Sequence, residues 1–343
     1  MSSNLPASID ALDHLAASVG RDRRAALATI IETWGSAPVP IGGQMAIAAD
    51  GSFAGSVSGG CVEGEVITEA LELLEGAASQ APRVLSFGVE DETAWRVGLP
   101  CGGKIKVMVE RLEGAVDTAY VAQLIDARVH RQAVLIRTRL ADGHREMLQR
   151  LTTAEDHPLA RRFLSGVSSV EVAADGDAFV HALLPPPRIV LIGATHIAQV
   201  LAELVRLTGF EALVMDPRTA FAAERRFPGV RLITEWPQDA LPQLKLDPYT
   251  AVAAVAHVGH SDDEALKLAC LSECFYIGAL GSRKNHAKRV ERLAVAGLNA
   301  QQIARIASPI GLDLGASTPP EIALSVMAEI LRHLRGAKGK GAA

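Results

Sequence analysis

Residues 188–218 read RIVLIGATHIAQVLAELVRLTGFEALVMDPR, and this stretch decides the fold of the C-terminal part of the chain. RIVLI is a short apolar run rich in β-branched side chains, the mark of a buried strand, and Gly193 ends it. From Ile197 the apolar residues recur at helical spacing until Gly209 stops the helix, and EALVM forms a second apolar run ending at Asp216. Strand, helix and strand in so few residues describe a βαβ crossover, which joins parallel strands. Further runs at VRLI (230–233), AVAAVAHV (251–258) and FYIGAL (275–280), separated by helical stretches, extend it to a parallel sheet covered by helices. Thr318-Pro319-Pro320-Glu321 reads as the start of a last helix, with a capping box and proline at the first helical position.

Upstream, Pro185, Pro186 and Pro187 hold the chain extended and mark a boundary. Before them the pattern changes. RAALATIIET (24–33) reads as a strand, QMAIAADGSFAGSVS (44–58) as a hairpin turning at Asp50-Gly51, and RVLSFGV and KIKVMVERL as strands around a helix that follows GSVSGGC. Residues 117–129 read as a helix, Ala141-Asp142-Gly143 as another hairpin turn, and AFVHALL (178–184) as a strand. The expected organisation is an α+β domain over 1–115, a connecting subdomain over 116–186 ending in the prolines, and a parallel-sheet domain over 187–343 with a disordered tail, GAKGKGAA.

Composition agrees with an α/β protein: 49% hydrophobic and 21% charged residues, and 30 glycines among 343 residues. A net charge of -5 argues against general affinity for nucleic acid. No window is apolar enough to span a membrane, and the start, MSSNLPASIDALDHLAASVGRDRR, lacks the pattern of a secretory signal, so the cytoplasm is the expected location. Cys61, Cys101, Cys270 and Cys274 have neither CxxC spacing nor the density of a disulfide scaffold and are expected as thiols. Cys270 and Cys274 read as core packing.

The other two cysteines carry the chemistry. GSVSGGCVEG (55–64) places Cys61 after consecutive glycines and before a helix. Successive amides converging there favour an anion, phosphate by preference, and a thiolate near the helix start is stabilised. Ser56, Ser58, Gly59, Gly60 and Glu63 are the accompanying candidates. The alternative is a tight strand-to-helix turn with Ser58 as cap and Cys61 as a small hydrophobe. GLPCGGK (98–104) repeats the motif with Cys101, Gly102 and Gly103, and two lone cysteines in two glycine loops are hard to attribute to packing.

GSAPVPIGGQMAIAADGSFAGSVSGGCVEGEV (35–66) and FGVEDETAWRVGLPCGGKIKVMVE (87–110) resemble the N-terminal domain of the XdhC/CoxI family. The PPP segment, IGALGSRKNHAKR (277–289) and SPIGLDLGASTPPEIALSVMAEIL (308–331) resemble its Rossmann-like C-terminal domain. The resemblance implies a factor that matures molybdenum hydroxylases such as xanthine, aldehyde or carbon monoxide dehydrogenase, an accessory protein rather than a turnover enzyme. It implies binding of the molybdenum cofactor, as molybdopterin or its nucleotide form, with protection during sulfuration by a cysteine desulfurase and delivery to the apoenzyme. Either Cys61 or Cys101 is then a candidate molybdenum contact, and a homodimer is expected. Competing readings are an NAD(P)-dependent oxidoreductase and a non-catalytic scaffold.

At the first turn of the Rossmann-like segment, Gly193-Ala194-Thr195-His196 places Thr195 where a second glycine would admit a pyrophosphate, which counts against NAD(P). Asp216 stands where a ribose hydroxyl is bound, and Arg218 could meet a phosphate. Ser282, Arg283 and Lys284 open a helix with cations that oppose its dipole unless an anion offsets them. Gly311, Asp313 and Gly315 are expected to line the same crevice on resemblance. His257 and His260 have a spacing that tempts a zinc reading, but Ser261 to Glu264 reads better as a capping box.

Overall fold

The computed structural model describes residues 7–22, 24–35, 37–76, 81–88, 103–149, 162–173, 176–256 and 259–336. The chain divides into two compact units between Pro185 and Pro186.

The first unit opens with helix α1 (Ala7–Asp22) and continues through β1 (Arg24–Trp34), β2 (Gln44–Ala48), β3 (Phe53–Gly55), α2 (Glu63–Glu75), β4 (Arg83–Phe87) and β5 (Lys104–Glu113). The strands form an antiparallel sheet in the order β3-β2-β1-β5-β4. Both faces of β1 are buried, and its alternation shows which helix covers each. Ala26, Ala28 and Ile30 face α2 through Val66, Ala70 and Leu74, while Ala25 and Leu27 face Ala11, Leu15 and Val19 of α1. The hairpin at Asp50-Gly51 forms as the sequence predicts, with Ile47 opposite Phe53 and Gly51 at φ +82°.

Helix α3 (Gly114–Val129) leads into β6 (Val134–Arg139) and β7 (Arg145–Gln149), then a short helix α4 (Arg162–Ser165), β8 (Ser169–Glu171) and β9 (Ala178–Leu183). These strands make a second antiparallel sheet, β7-β6-β9-β8. A connecting subdomain is expected over residues 116–186; of these, residues 116–185 share the first unit with the N-terminal sheet. The reason is a buried ionic join. Arg145 of β7 donates to Glu110 of β5 at 2.8 Å and to Asp117 of α3 at 2.6 Å, and its guanidinium lies over the Tyr120 ring.

The second unit runs β10 (Arg188–Ile192), α5 (His196–Leu207), β11 (Glu211–Met215), β12 (Arg231–Ile233), α6 (Pro237–Leu244), β13 (Thr250–Ala254), α7 (Gly259–Cys270), β14 (Tyr276–Ala279), α8 (Arg283–Val295), α9 (Ala300–Ile303), β15 (Ile306–Ala307) and α10 (Pro319–Gly336). All six strands are parallel, in the order β12-β11-β10-β13-β14-β15. The chain reverses direction across the sheet between β10 and β13, so the carboxyl ends of those strands form the crevice where such sheets bind ligands. Cys270 and Cys274 are buried in one of the two cores that flank the sheet, and burial pushes both thiols up to about 11, in keeping with their reading as packing residues. No helix among the described residues is long and apolar enough to cross a membrane.

Two predicted caps differ. Helix α7 begins at Gly259, so Ser261 lies inside its first turn and does not cap it. At α10 the Glu321 carboxylate accepts from the Thr318 and Ser317 amides at 3.0 and 2.8 Å, and Pro319 is the first helical residue, as predicted.

Candidate functional site

The loop between β3 and α2 is built around one carboxylate. Glu63, the first residue of α2, folds its side chain back over the loop and is only 9% exposed. Its Oε1 accepts from the amides of Val57, Ser58 and Gly59 at 3.2, 2.8 and 3.1 Å and from the Ser56 hydroxyl at 2.6 Å. Its Oε2 accepts from the Gly60 amide at 2.9 Å and from the Ser58 hydroxyl. Ser58 Oγ in turn accepts from the amides of Cys61 and Val62 at 2.8 and 3.0 Å, and Gly59 also donates to Ser56 Oγ.

The amide nest predicted from the sequence therefore exists, but its anion is the chain's own. This corrects the expectation of an external phosphate at Ser56, Ser58, Gly59 and Gly60: their donors converge on Glu63, and a nest filled by a carboxylate repels a second anion. Burial of Glu63 works against its charge, but the bonds from Ser56, Ser58 and the loop amides prevail and hold it at about 2. The positive φ values of Gly59 and Gly60, +81° and +120°, give the loop its amide-converging path.

What the loop offers outward is different. Gly59 and Gly60 are exposed, and a Cβ placed on Gly60 would have no heavy atom within 4 Å. A bulky ligand can thus approach the backbone there. Beside it Cys61 is half-buried, resting partly against the core formed by α2 and the sheet. The geometry is a rigid rim carrying one thiol, with a fixed negative charge behind it. Cys101 and Gly102 lie outside the described residues; Gly103 is buried at the foot of β5.

On the second unit, Gly193 has φ +103°, and a Cβ there would stand 2.4 Å from that of Ala256, so only glycine lets the first turn cross the end of β13. Thr195 caps α5, accepting from the Ala198 amide at 3.2 Å, and His196 is exposed. Asp216 is buried and fully engaged. Its Oδ2 accepts from the Ala194 amide at 2.8 Å and from Arg218 Nη2 at 2.7 Å, and its Oδ1 accepts from the Arg218 amide and Nε, both at 2.9 Å. The sequence placed Asp216 against a ribose hydroxyl; instead it pins the glycine turn to the end of β11. Arg218, its guanidinium over the Phe221 ring, is the more exposed partner. Arg226, which sequence reasoning missed, locks the same turn by donating to the Ala194 carbonyl at 2.9 Å and the Phe221 carbonyl at 2.8 Å. Its Nη2 also donates to Gln199 Oε1 at 3.1 Å, and no sequence spacing signals these contacts. Ser282 caps α8, accepting from the Asn285 amide at 3.3 Å, with Arg283 and Lys284 exposed behind it. His257 lies outside the described residues, and among those described no cluster of histidine, cysteine and carboxylate groups is arranged for a metal.

Residues 18–88 match the XdhC and CoxI family, and residues 189–330 match the XdhC Rossmann domain. A protein of Bacillus subtilis, named as a probable subunit of xanthine dehydrogenase, is 30% identical over 314 residues, covering 90% of this chain and 92% of the relative. The chain belongs to the XdhC and CoxI family. A second XdhC-type relative, from Escherichia coli, is named molybdenum cofactor insertion chaperone PaoD; it is 28% identical, with 89% of this chain and 82% of PaoD covered. The crystal structure of a Bacillus halodurans protein, titled a xanthine dehydrogenase, superposes with a TM-score of 0.71 at 25% identity, over 97% of this chain and 98% of that one.

Proposed function

We propose that this chain binds the molybdenum cofactor as cargo and serves the maturation of a molybdenum hydroxylase of the xanthine dehydrogenase type. The observation that carries the reading is the Ser56–Glu63 loop: a thiol on a preorganised rim, open at Gly60, in a family with a member named as a molybdenum cofactor insertion chaperone. The cargo supplies a metal already held by dithiolene sulfurs and oxygen ligands, to which a further thiolate is the proposed donor. Cys61 is the proposed contact, with Cys101 and its glycines as a second. Glu63 holds the rim rigid, so that little ordering entropy is lost on binding. On the Rossmann unit, Arg218, Ser282, Arg283 and Lys284 are proposed as contacts for an anionic group in their own right. Protection of the cargo during sulfuration by a cysteine desulfurase, delivery to the apoenzyme and a homodimeric state complete the proposal.

The test is anaerobic purification from cofactor-producing cells, with assay of molybdenum and oxidised pterin in wild type and Cys61→Ala. Wild type should retain both, and the variant should lose retention by at least about tenfold while its melting temperature stays unchanged. Equal pterin in the two would remove Cys61 from the site, and its absence from both would overturn the proposal.

A further inference from the structure

Helices α8 and α9 and strand β15, the last strand of the second unit's sheet, line an open groove of about 470 Å³. One wall is a stripe on α8, His286, Val290 and Ala294, each four residues from the next, so the groove follows two turns of that helix, about 12 Å. Ile303, Ala304 and Ile306 supply the floor and the far wall. Ile303 and Ile306 belong to the core beneath, whereas Ala294 and Ala304 are exposed and leave the groove shallow. Burial, and then the neighbouring Arg289 charge, push the His286 imidazole down, so the polar side chain in this wall is uncharged at neutral pH.

The charge around the groove is lopsided. The whole chain has a net charge of -5, yet α8 carries Arg283, Lys284, Lys288, Arg289 and Arg292 against a single acid, Glu291. Arg289 and Arg292 face Asp262 and Asp263 of α7. Arg283, Lys284 and Lys288 are exposed, and no carboxylate among the described residues pairs with them. Arg283 stands three residues before His286 and continues the stripe, so the groove ends on a cation. A small molecule would find no enclosure between exposed alanines, because small-molecule sites bury most of their ligand. Small residues over an aliphatic floor, with positive charge at one end, instead complement a helix whose carboxylates flank its apolar side chains.

We infer that the groove between α8 and α9 docks a partner protein through an acidic amphipathic helix. Two apolar side chains one turn apart sit between the α8 stripe and Ala304, and a carboxylate of the partner meets Arg283. The inference deepens the proposal of Arg283 and Lys284 as anion contacts, on which it rests, by naming the anion. It is independent of the cargo at Cys61: peptide binding needs no cofactor, so its failure leaves the cargo proposal standing.

The test is fluorescence anisotropy of a fluorescein-labelled, hydrocarbon-stapled peptide helix with two leucines one turn apart on a glutamate background, titrated with the purified full chain. Saturable binding is expected, at least about tenfold tighter than to the same peptide with lysine in place of glutamate, and weaker at raised salt. Ala294→Gln fills the groove from an exposed helical position and should weaken binding at least about tenfold with the melting temperature unchanged. Arg283→Glu should weaken it to a similar degree. Val295→Gln, at a position 91% exposed and outside the groove stripe, should leave it unchanged. Absence of saturable binding in wild type, equal binding of the lysine peptide, or binding that survives Ala294→Gln overturns the site. So does a wild-type dimer that Ala294→Gln converts to monomer in sedimentation, which would give the groove to a second copy of the chain.

Discussion

With its carboxylate accepting from four loop amides and two hydroxyls, Glu63 stays ionised down to about pH 2, whereas in the unfolded chain it titrates near its ordinary 4.5. The unfolded state therefore binds this proton first. The resulting stability is fully present above pH 4.5 and is lost as pH falls towards 2, in all about 3 kcal/mol. Glu63→Gln should cost about 2 kcal/mol at pH 7, the scale of charge-assisted hydrogen bonds lost. The gap between wild type and variant should close in urea unfolding at pH 3 or below; a constant gap would mean the loop does not depend on the charge. The glycines and serines of this loop made an anion nest legible in the sequence. Its occupant was harder to see, because Glu63 reads as an ordinary acidic residue in the first turn. A carboxylate three residues beyond a glycine pair is the signal, since it lies within reach of the amides it follows. Asp216 was misread for a related reason: the DPR sequence supplies its own arginine two residues on, and the acid closes on that partner and on the Ala194 amide.

Elements were legible where one periodicity dominated. The parallel strands β10 to β14 are short apolar runs and form at the runs that predict them, while the two-residue β15 (Ile306–Ala307) has too short a run to be read. The two hairpins were marked by Asp-Gly turns, and both turn glycines have positive φ. Helix α1 went unread because its sequence was weighed only as a leader, although its apolar face covers the sheet. Contacts between elements were beyond any pattern, and His181 of β9 is an example. It is 7% exposed and stands against the turn before β2, where a Cβ on Gly42 would lie 3.0 Å from its Nε2. Burial pushes its imidazole down to about 4, with the Gly42 backbone offsetting part of that. The unfolded chain takes up this proton near 6.5, so stability is full above that pH and falls by about 3 kcal/mol as pH drops to 4. In His181→Gln this loss should vanish, leaving a flatter stability curve between pH 6.5 and 4.5, above the Glu63 window. Equal slopes for the two proteins would show that His181 is protonated in the native state.

At the scale of the whole chain, the question is where it can be cut. Among the described residues, the two cores within residues 189–331 belong to the second unit, and the four within residues 11–183 belong to the first. Sequence alone suggested a second boundary near residue 115, where the glycine-cysteine motifs end. The ionic join argues against using it. Glu110 is 5% exposed and depends on Arg145, and Val121 and Tyr120 of α3 pack into the core under α1. A chain ending at residue 115 would lose Arg145, Asp117 and Tyr120 together, and with them the whole join that β5 makes with α3 and β7. It would also uncover α1. Residues 1–185 should therefore unfold in urea as one cooperative transition, and so should residues 186–343, while residues 1–115 should show none. A cooperative transition in the shortest fragment would mean that the second sheet is an accessory to the first unit and not part of its fold.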